Sequence, residues 1–288
     1  AGQIYVPIVN WALLLLVILL VLGFRSSSDL AAAYGISVTG TMVITACMLG
    51  VLTFSVWRWH PLLAGSVTGL FLLIDGAYFA SNATKIPDGG WFPLLVAAVV
   101  FVLLTTWSKG REIMRHYLQL GAMELSLFIK STSQSMKRVP GTAIFLSSTS
   151  DGVPPSLLHN VKHNKILHER IIILTVVTRA VPHLPVDEQI TVTDEGEGFY
   201  RLRLNHGFME DVDIPATLKG LSVCGGPIRA METSYFLSRQ TLIPSSRPGM
   251  AIWREKLFAW MIRNAEGPME FFKLPTNRVV ELGSQVEI

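Results

Sequence analysis

One acid stands inside an otherwise uncharged apolar stretch: Asp75, in Gly69-Leu-Phe-Leu-Leu-Ile-Asp-Gly-Ala-Tyr78. A carboxylate in apolar surroundings is costly, and there it can coordinate a cation or take up a proton. Thr68 lies seven residues earlier. At about 100° per residue it shares the acid's helix face, so a hydroxyl can enter the same surroundings. The plainer reading is an acid near the membrane surface that snorkels or ties down a neighbouring helix, since Asn82 follows seven residues later. A second group of polar atoms comprises Tyr34, Ser37, Thr39, Thr41 and Thr45. Hydroxyls and freed backbone carbonyls suit a hard, desolvated alkali cation. Taken alone, though, Ser and Thr more often bond their own helix carbonyls or join helices. His159 and His163 stand one helical turn apart, with His168 just beyond. No carboxylate or thiol completes a metal set at familiar spacing, so a solvated basic helix face is the simpler reading.

Four long apolar runs must position these residues: Ile4–Phe24, Leu30–Trp57, Pro61–Ser81 and Trp91–Trp107. Each is long enough to cross a hydrocarbon core of about 30 Å as a helix. Half of the 288 residues are hydrophobic and 16% are charged, but the charges concentrate beyond Trp107. The reading is therefore a transmembrane region of four helices (1–108), an amphipathic linker (109–140) and an α/β domain (141–288). Within the linker, Ile113, Leu118, Leu120, Leu125, Leu127 and Phe128 predict a helix lying near the bilayer surface. Beyond it, Ala143–Ser147, Ile171–Thr178, Gln189–Thr193, Tyr200–Asn205 and Thr233–Leu237 read as strands. Pro155–Lys165, Pro215–Lys219 and Ile252–Asn264 read as helices, and the alternation predicts a small α/β sheet domain.

Lys109, Arg111 and Arg115 follow the last span, which places that side in the cytoplasm. Arg58 then also falls inside, and Asn82–Gly90 outside. Gly65 and Gly69 form a GxxxG pattern with Gly76 on the same face, while Gly35, Gly40 and Gly50 punctuate the second span. Such small residues predict closely packed helices. No basic region precedes Trp11–Phe24 and Arg25 follows it, which does not suit a signal peptide; the expectation is the rear part of something longer. Cys47 and Cys224 lie in unlike halves and predict no disulfide. A net charge of +3 without any basic run speaks against nucleic acid. No GxGxxG, P-loop, GxSxG or HExxH occurs, which speaks against an enzyme.

Long segments stand out beyond these patterns: Gly2-Gln-Ile-Tyr-Val-Pro-Ile-Val-Asn-Trp11, Leu30-Ala-Ala-Ala-Tyr-Gly-Ile-Ser-Val-Thr-Gly-Thr41 and Lys85-Ile-Pro-Asp-Gly-Gly-Trp-Phe-Pro93. His159-Asn-Val-Lys-His-Asn-Lys165 and Asn277-Arg-Val-Val-Glu-Leu-Gly-Ser-Gln-Val-Glu-Ile288 follow in the polar half. In these segments, and over the whole chain, the sequence resembles the KUP/HAK/KT potassium transporters, the bacterial members most closely. The resemblance implies proton-coupled potassium symport, with K+ and H+ as transported ions and no cofactor. It also implies a helical membrane bundle forming the last four of twelve spans of a LeuT-like transporter, followed by the cytosolic α/β domain. The family's glycine- and aspartate-containing motif of its first span is absent, so the chain is expected not to transport alone. Asp75 falls in the eleventh-span position and Tyr34–Thr41 in the tenth. Asp75, Thr68, Tyr34, Ser37 and Thr39 are therefore the candidate ion or proton pathway. The bilayer and the remaining spans are the expected partners, with a homodimer through the cytosolic domain held open. The alternative reading is a membrane-anchored cytosolic module that senses a ligand.

Overall fold

Apolar runs whose backbone groups cannot reach water close their own hydrogen bonds, and all four form helices. The computed structural model describes residues 7–120, 123–132, 135–148, 152–219, 221–243 and 249–287. Helix α1 is Pro7–Phe24, α2 is Ser27–Val51, α3 is Pro61–Ala83 and α4 is Trp91–Leu120. Each meets the length and hydropathy of a membrane span. Pro7, Pro61 and Pro93 fall in first turns, where a missing N–H costs nothing. Two wide turns interrupt regular geometry. Leu52–Val56 ends the second span with Trp57 N–H donating to Leu52 O, and Ile86–Gly90 leads into α4 with Gly90 N–H donating to Lys85 O. The second turn depends on Gly89, whose φ of +146° brings it against the Asp29 carbonyl; a Cβ there would lie 2.6 Å from that oxygen.

The chain divides into two compact units, one ending at Thr105 and the other beginning at Thr106. In the second unit, α5 is Leu125–Thr132, β1 is Lys137–Ser147, α6 is Pro155–Asn164 and β2 is Ile166–Arg179. Then come α7 (Val186–Gln189), β3 (Ile190–Gly196), β4 (Phe199–Gly207) and α8 (Ile214–Leu218). A short hairpin of β5 (Ser222–Val223) and β6 (Gly226–Pro227) precedes β7 (Thr233–Ile243). Helices α9 (Ile252–Arg263) and α10 (Pro268–Phe271) and strand β8 (Val279–Glu287) complete the unit. Six strands form one sheet in the order β3-β4-β2-β1-β7-β8, parallel except for β3. The continuous run Ile171–Leu174 at the centre of β2 is fully buried, as a strand covered on both faces requires. Its residues alternate. Ile171 and Ile173 pack with Phe145, Phe199 and Leu157 of α6, whereas Ile172 and Leu174 pack with Leu202, Ile214 and Leu218 on the opposite face.

The structure departs from the sequence reading in the linker. Lys109–Leu120 continues α4 as one helix, and α5 turns its apolar stripe into the sheet's core instead of lying on the bilayer. Leu125, Phe128 and Ile129 are buried there, and the Phe128 ring meets Phe199 edge-on with centroids 6.1 Å apart, within the range of about 4.5–7 Å that favours such pairs. Residues 121–122 and 133–134, within the same predicted linker, lie outside the described residues.

Candidate functional site

Helix α3 buries one face, and that face carries the predicted chemistry. Ala64, Thr68 and Asp75 are its buried residues. Asp75 is 7% exposed, and no hydrogen bond reaches its carboxylate from the described residues. The Thr68 hydroxyl is likewise buried without a partner. Helix α2 runs alongside, and its glycines make the close approach possible. A Cβ on Gly50 would lie 2.9 Å from Thr68 Cγ2, and one on Gly35 would lie 2.6 Å from Asn82 Oδ1. A Cβ on Gly69 or Gly76, by contrast, would meet nothing within 4 Å among the described residues, and one on Gly65 would only touch Phe54 Cζ at 3.9 Å, so the GxxxG glycines are not the tight contact with the second span.

The hydroxyls of α2 divide between two faces. Thr39 is buried, while Tyr34, Ser37, Thr41 and Thr45 form an exposed row along the other side. Helix α2 is unbroken from Ser27 to Val51, so no carbonyl is freed there. Ser37 donates to Ala33 O at 2.9 Å, Thr39 to Gly35 O at 2.7 Å, Thr41 to Ser37 O and Thr45 to Thr41 O, both at 2.8 Å. Each donor proton is already committed to the helix, which leaves hydroxyl lone pairs but no free O–H. The hydroxyls of α2 thus bond their own helix carbonyls, the more frequent arrangement for Ser and Thr, and no open carbonyl joins them; the buried polar residues are Thr39 on one helix and Thr68 with Asp75 on the other.

A hollow of about 540 Å³ was not anticipated. Leu19, Leu20, Phe24, Trp91 and Phe92 line it together with two carboxylates, Asp29 and Asp88. In the sequence Asp29 and Asp88 stand 59 residues apart, close to Arg25 and Lys85 respectively. What brings them together is the wide turn at Gly89, closed against the Asp29 carbonyl.

Comparison with known proteins bears on both units. Residues 1–112 match the model of the K+ potassium transporter integral membrane domain, and residues 140–288 that of the K+ potassium transporter C-terminal domain. The chain belongs to the K+ potassium transporter family. It is 57% identical over 287 residues to a probable potassium transport system protein Kup 2 of Rhizorhabdus wittichii and 58% identical over 288 to Kup 1 of Novosphingobium aromaticivorans. It is 56% identical to a Kup of Erythrobacter litoralis. The matches cover 100% of this chain but 45%, 44% and 46% of those relatives, so it spans under half their length. Membership makes it a multi-pass inner-membrane protein with a C-terminal cytosolic domain, the side that Lys109, Arg111 and Arg115 indicate.

The K+ potassium transporter C-terminal domain has a smaller hollow of its own, about 330 Å³, at the carboxyl end of β4. Gln189, Asn205, His206, Glu210, Asp211 and Thr217 line it. Backbone N–H groups of Gly207 and Leu184 donate to Glu210 at 2.6 and 3.1 Å and hold its carboxyl below the usual carboxylate range. Burial lowers the proton affinity of His206, with Glu210 acting weakly the other way, while its Nε2 lies 3.0 Å from Thr178 Oγ1. His159 and His163 stack at 5.9 Å on α6, and no group of three or more metal-binding side chains occurs among the described residues. Cys47 and Cys224 are both free, and burial pushes the Cys224 thiol up to about 11, which leaves it unreactive.

Proposed function

We propose that this stretch works in potassium uptake across the cytoplasmic membrane by proton-coupled symport. The activity is that of a protein of the relatives' length, to which this stretch contributes four of twelve spans in a LeuT-like arrangement. The observation that carries the reading is the pair Asp75 and Thr68. Both residues are buried on one face of a membrane helix, and among the described residues no hydrogen bond reaches the Asp75 carboxylate or the buried Thr68 hydroxyl. Such a pair lowers stability in an apolar setting unless a cation or proton meets it. Asp75 takes the proton or cation step and Thr68 supplies an oxygen beside it. Thr39 joins them from α2, and Tyr34 and Ser37 line the pathway on that helix's exposed side.

The test uses a protein of the relatives' full length in proteoliposomes. External potassium should drive proton uptake, and Asp75→Asn should cut its initial rate by roughly tenfold or more, the scale of a loss of about 1.4 kcal/mol. Unchanged uptake in a folded Asp75→Asn protein removes the role of Asp75. Potassium entry without proton movement removes symport itself.

The hollow at the end of β4 favours a second reading, a cytosolic ligand-sensing module, because open parallel sheets bind ligands at strand carboxyl ends. Thermal-shift screening of the chain against adenine dinucleotides and metal ions tests it, since a ligand of the folded state raises the melting temperature by mass action. No shift with any of them counts against sensing.

A further inference from the structure

Helix α9 has two unlike faces. Glu255, Phe258 and Ala259 are buried, and through Phe258 the helix packs against the end of the last span within the same unit. The Phe258 ring meets Trp107 at 5.7 Å and covers Gly110, where a Cβ would fall 2.5 Å from the ring. Arg254 Nε donates to the fully buried Thr106 hydroxyl at 2.9 Å. The opposite face presents Trp253 and Trp260, seven residues apart and 57% and 55% exposed, with Ile252 beside them. Lys256 and Arg263 are exposed on its flank.

We propose that α9 is an interfacial helix whose Trp253 and Trp260 insert among the anionic phospholipid headgroups of the cytosolic leaflet. Position decides this. The helix is pinned to Thr106, Trp107 and Gly110, where the apolar run of the fourth span gives way to Lys109, Arg111 and Arg115. That is the level at which a bilayer's hydrocarbon ends and its headgroups begin. Tryptophan favours this layer because the ring is apolar and the indole N–H still reaches water or phosphate. Charge points the same way. Arg254, Lys256 and Arg263 against the single Glu255 leave the helix basic, complementary to an anionic leaflet. Two large aromatic rings turned outward from a helix that already buries its other face stay exposed among the described residues, and the bilayer around the last span is the layer that would cover them. The fold thereby ties the cytosolic sheet domain to lipid through a surface element as well as through the chain. The proposal rests on membership of the membrane family and not on the transport mechanism.

The chain is tested in nanodiscs of phosphatidylcholine, with and without phosphatidylglycerol. Cys47→Ser removes the exposed thiol, the buried Cys224 stays, and a nitroxide is placed by Trp253→Cys, Trp260→Cys or, as a reference, Met231→Cys, which is 77% exposed. Labels at 253 and 260 should be reached by oxygen and shielded from a water-soluble nickel chelate, unlike the label at 231. The contrast should grow when phosphatidylglycerol is present. Nickel access at 253 and 260 equal to that at 231 overturns the proposal, and so does dipolar broadening between copies, which would mean that a second chain covers the helix. If a labelled variant fails to insert, quenching by brominated lipid decides. Replacing both tryptophans, by Trp253→Phe and Trp260→Phe, should remove a clear share of the quenched fluorescence. An unchanged quenched share overturns the proposal.

Discussion

An acid in a buried position without a hydrogen-bond partner is a demanding group in a protein, and among the described residues Asp75 and Glu255 hold such positions in different settings. Asp75 lies in a membrane span beside the unpartnered Thr68 hydroxyl. Glu255 is fully buried in α9, with both of its carboxylate oxygens unpaired. For Asp75 the expected outcome is functional, loss of potassium-driven proton uptake in Asp75→Asn as described above. For Glu255 it is structural. Exchanging the acid for an apolar side chain of similar shape, Glu255→Met, removes the desolvation cost and should stabilise the chain by about 1–3 kcal/mol. A melting curve in detergent checks this, and a lowered midpoint would mean that Glu255 holds a ligand or partner. The sequence singled out Asp75 because a charge stands out in an apolar run. Glu255 was not legible, since Arg254-Glu-Lys256 within the predicted helix Ile252–Asn264 has the charge of a solvated helix face and only packing buries the acid.

Small residues specify which helix faces meet, but only the structure says which small residues these are. Gly50 faces Thr68 at a distance that leaves no room for a methyl group, whereas Gly69 has open space around it. Gly50→Ala should therefore destabilise the α2–α3 pair by about 1–3 kcal/mol, as overpacking does. Gly69→Ala should be neutral or stabilising by up to about 1 kcal/mol, because alanine favours a helix. Comparing the two melting midpoints in one detergent decides the matter, and equal effects would refute the assignment of faces. The same limit shaped the linker. The stripe Leu125, Phe128 and Ile129 announces a covered face, yet an amphipathic pattern is the same whether lipid or a β-sheet covers it. Strand β8 escaped notice for a related reason. Val279–Glu287 includes Glu281 and Gly283, which suit an edge strand and weaken a strand pattern, and its register beside β7 supplies the hydrogen bonds.

At the scale of the molecule, the two units face different solvents and respond to different variables. The cytosolic unit should respond to pH through His168 and His206, both held below their ordinary value of 6.5 by burial. A depressed histidine is neutral in the fold but takes up a proton on unfolding once the pH falls below about 6.5, so stability is full above that value and declines below it. The melting midpoint should accordingly drop as pH is lowered from 7 toward the folded values, and a His168→Gln, His206→Gln double variant should flatten the profile. A slope that survives both changes would assign the response to other groups. Division into a four-helix membrane region and an α/β domain was determined by the sequence itself, because hydropathy and side-chain period are local properties that neighbours along the chain already display. Central strands such as Ile171–Leu174 were legible on the same ground. Tertiary structure alone decided that Thr68 and Asp75 turn toward α2, that Asp29 and Asp88 share one hollow, and that α9 is fastened to the end of the last span. Each of these joins residues far apart in the chain, and such meetings depend on how faces pack in three dimensions.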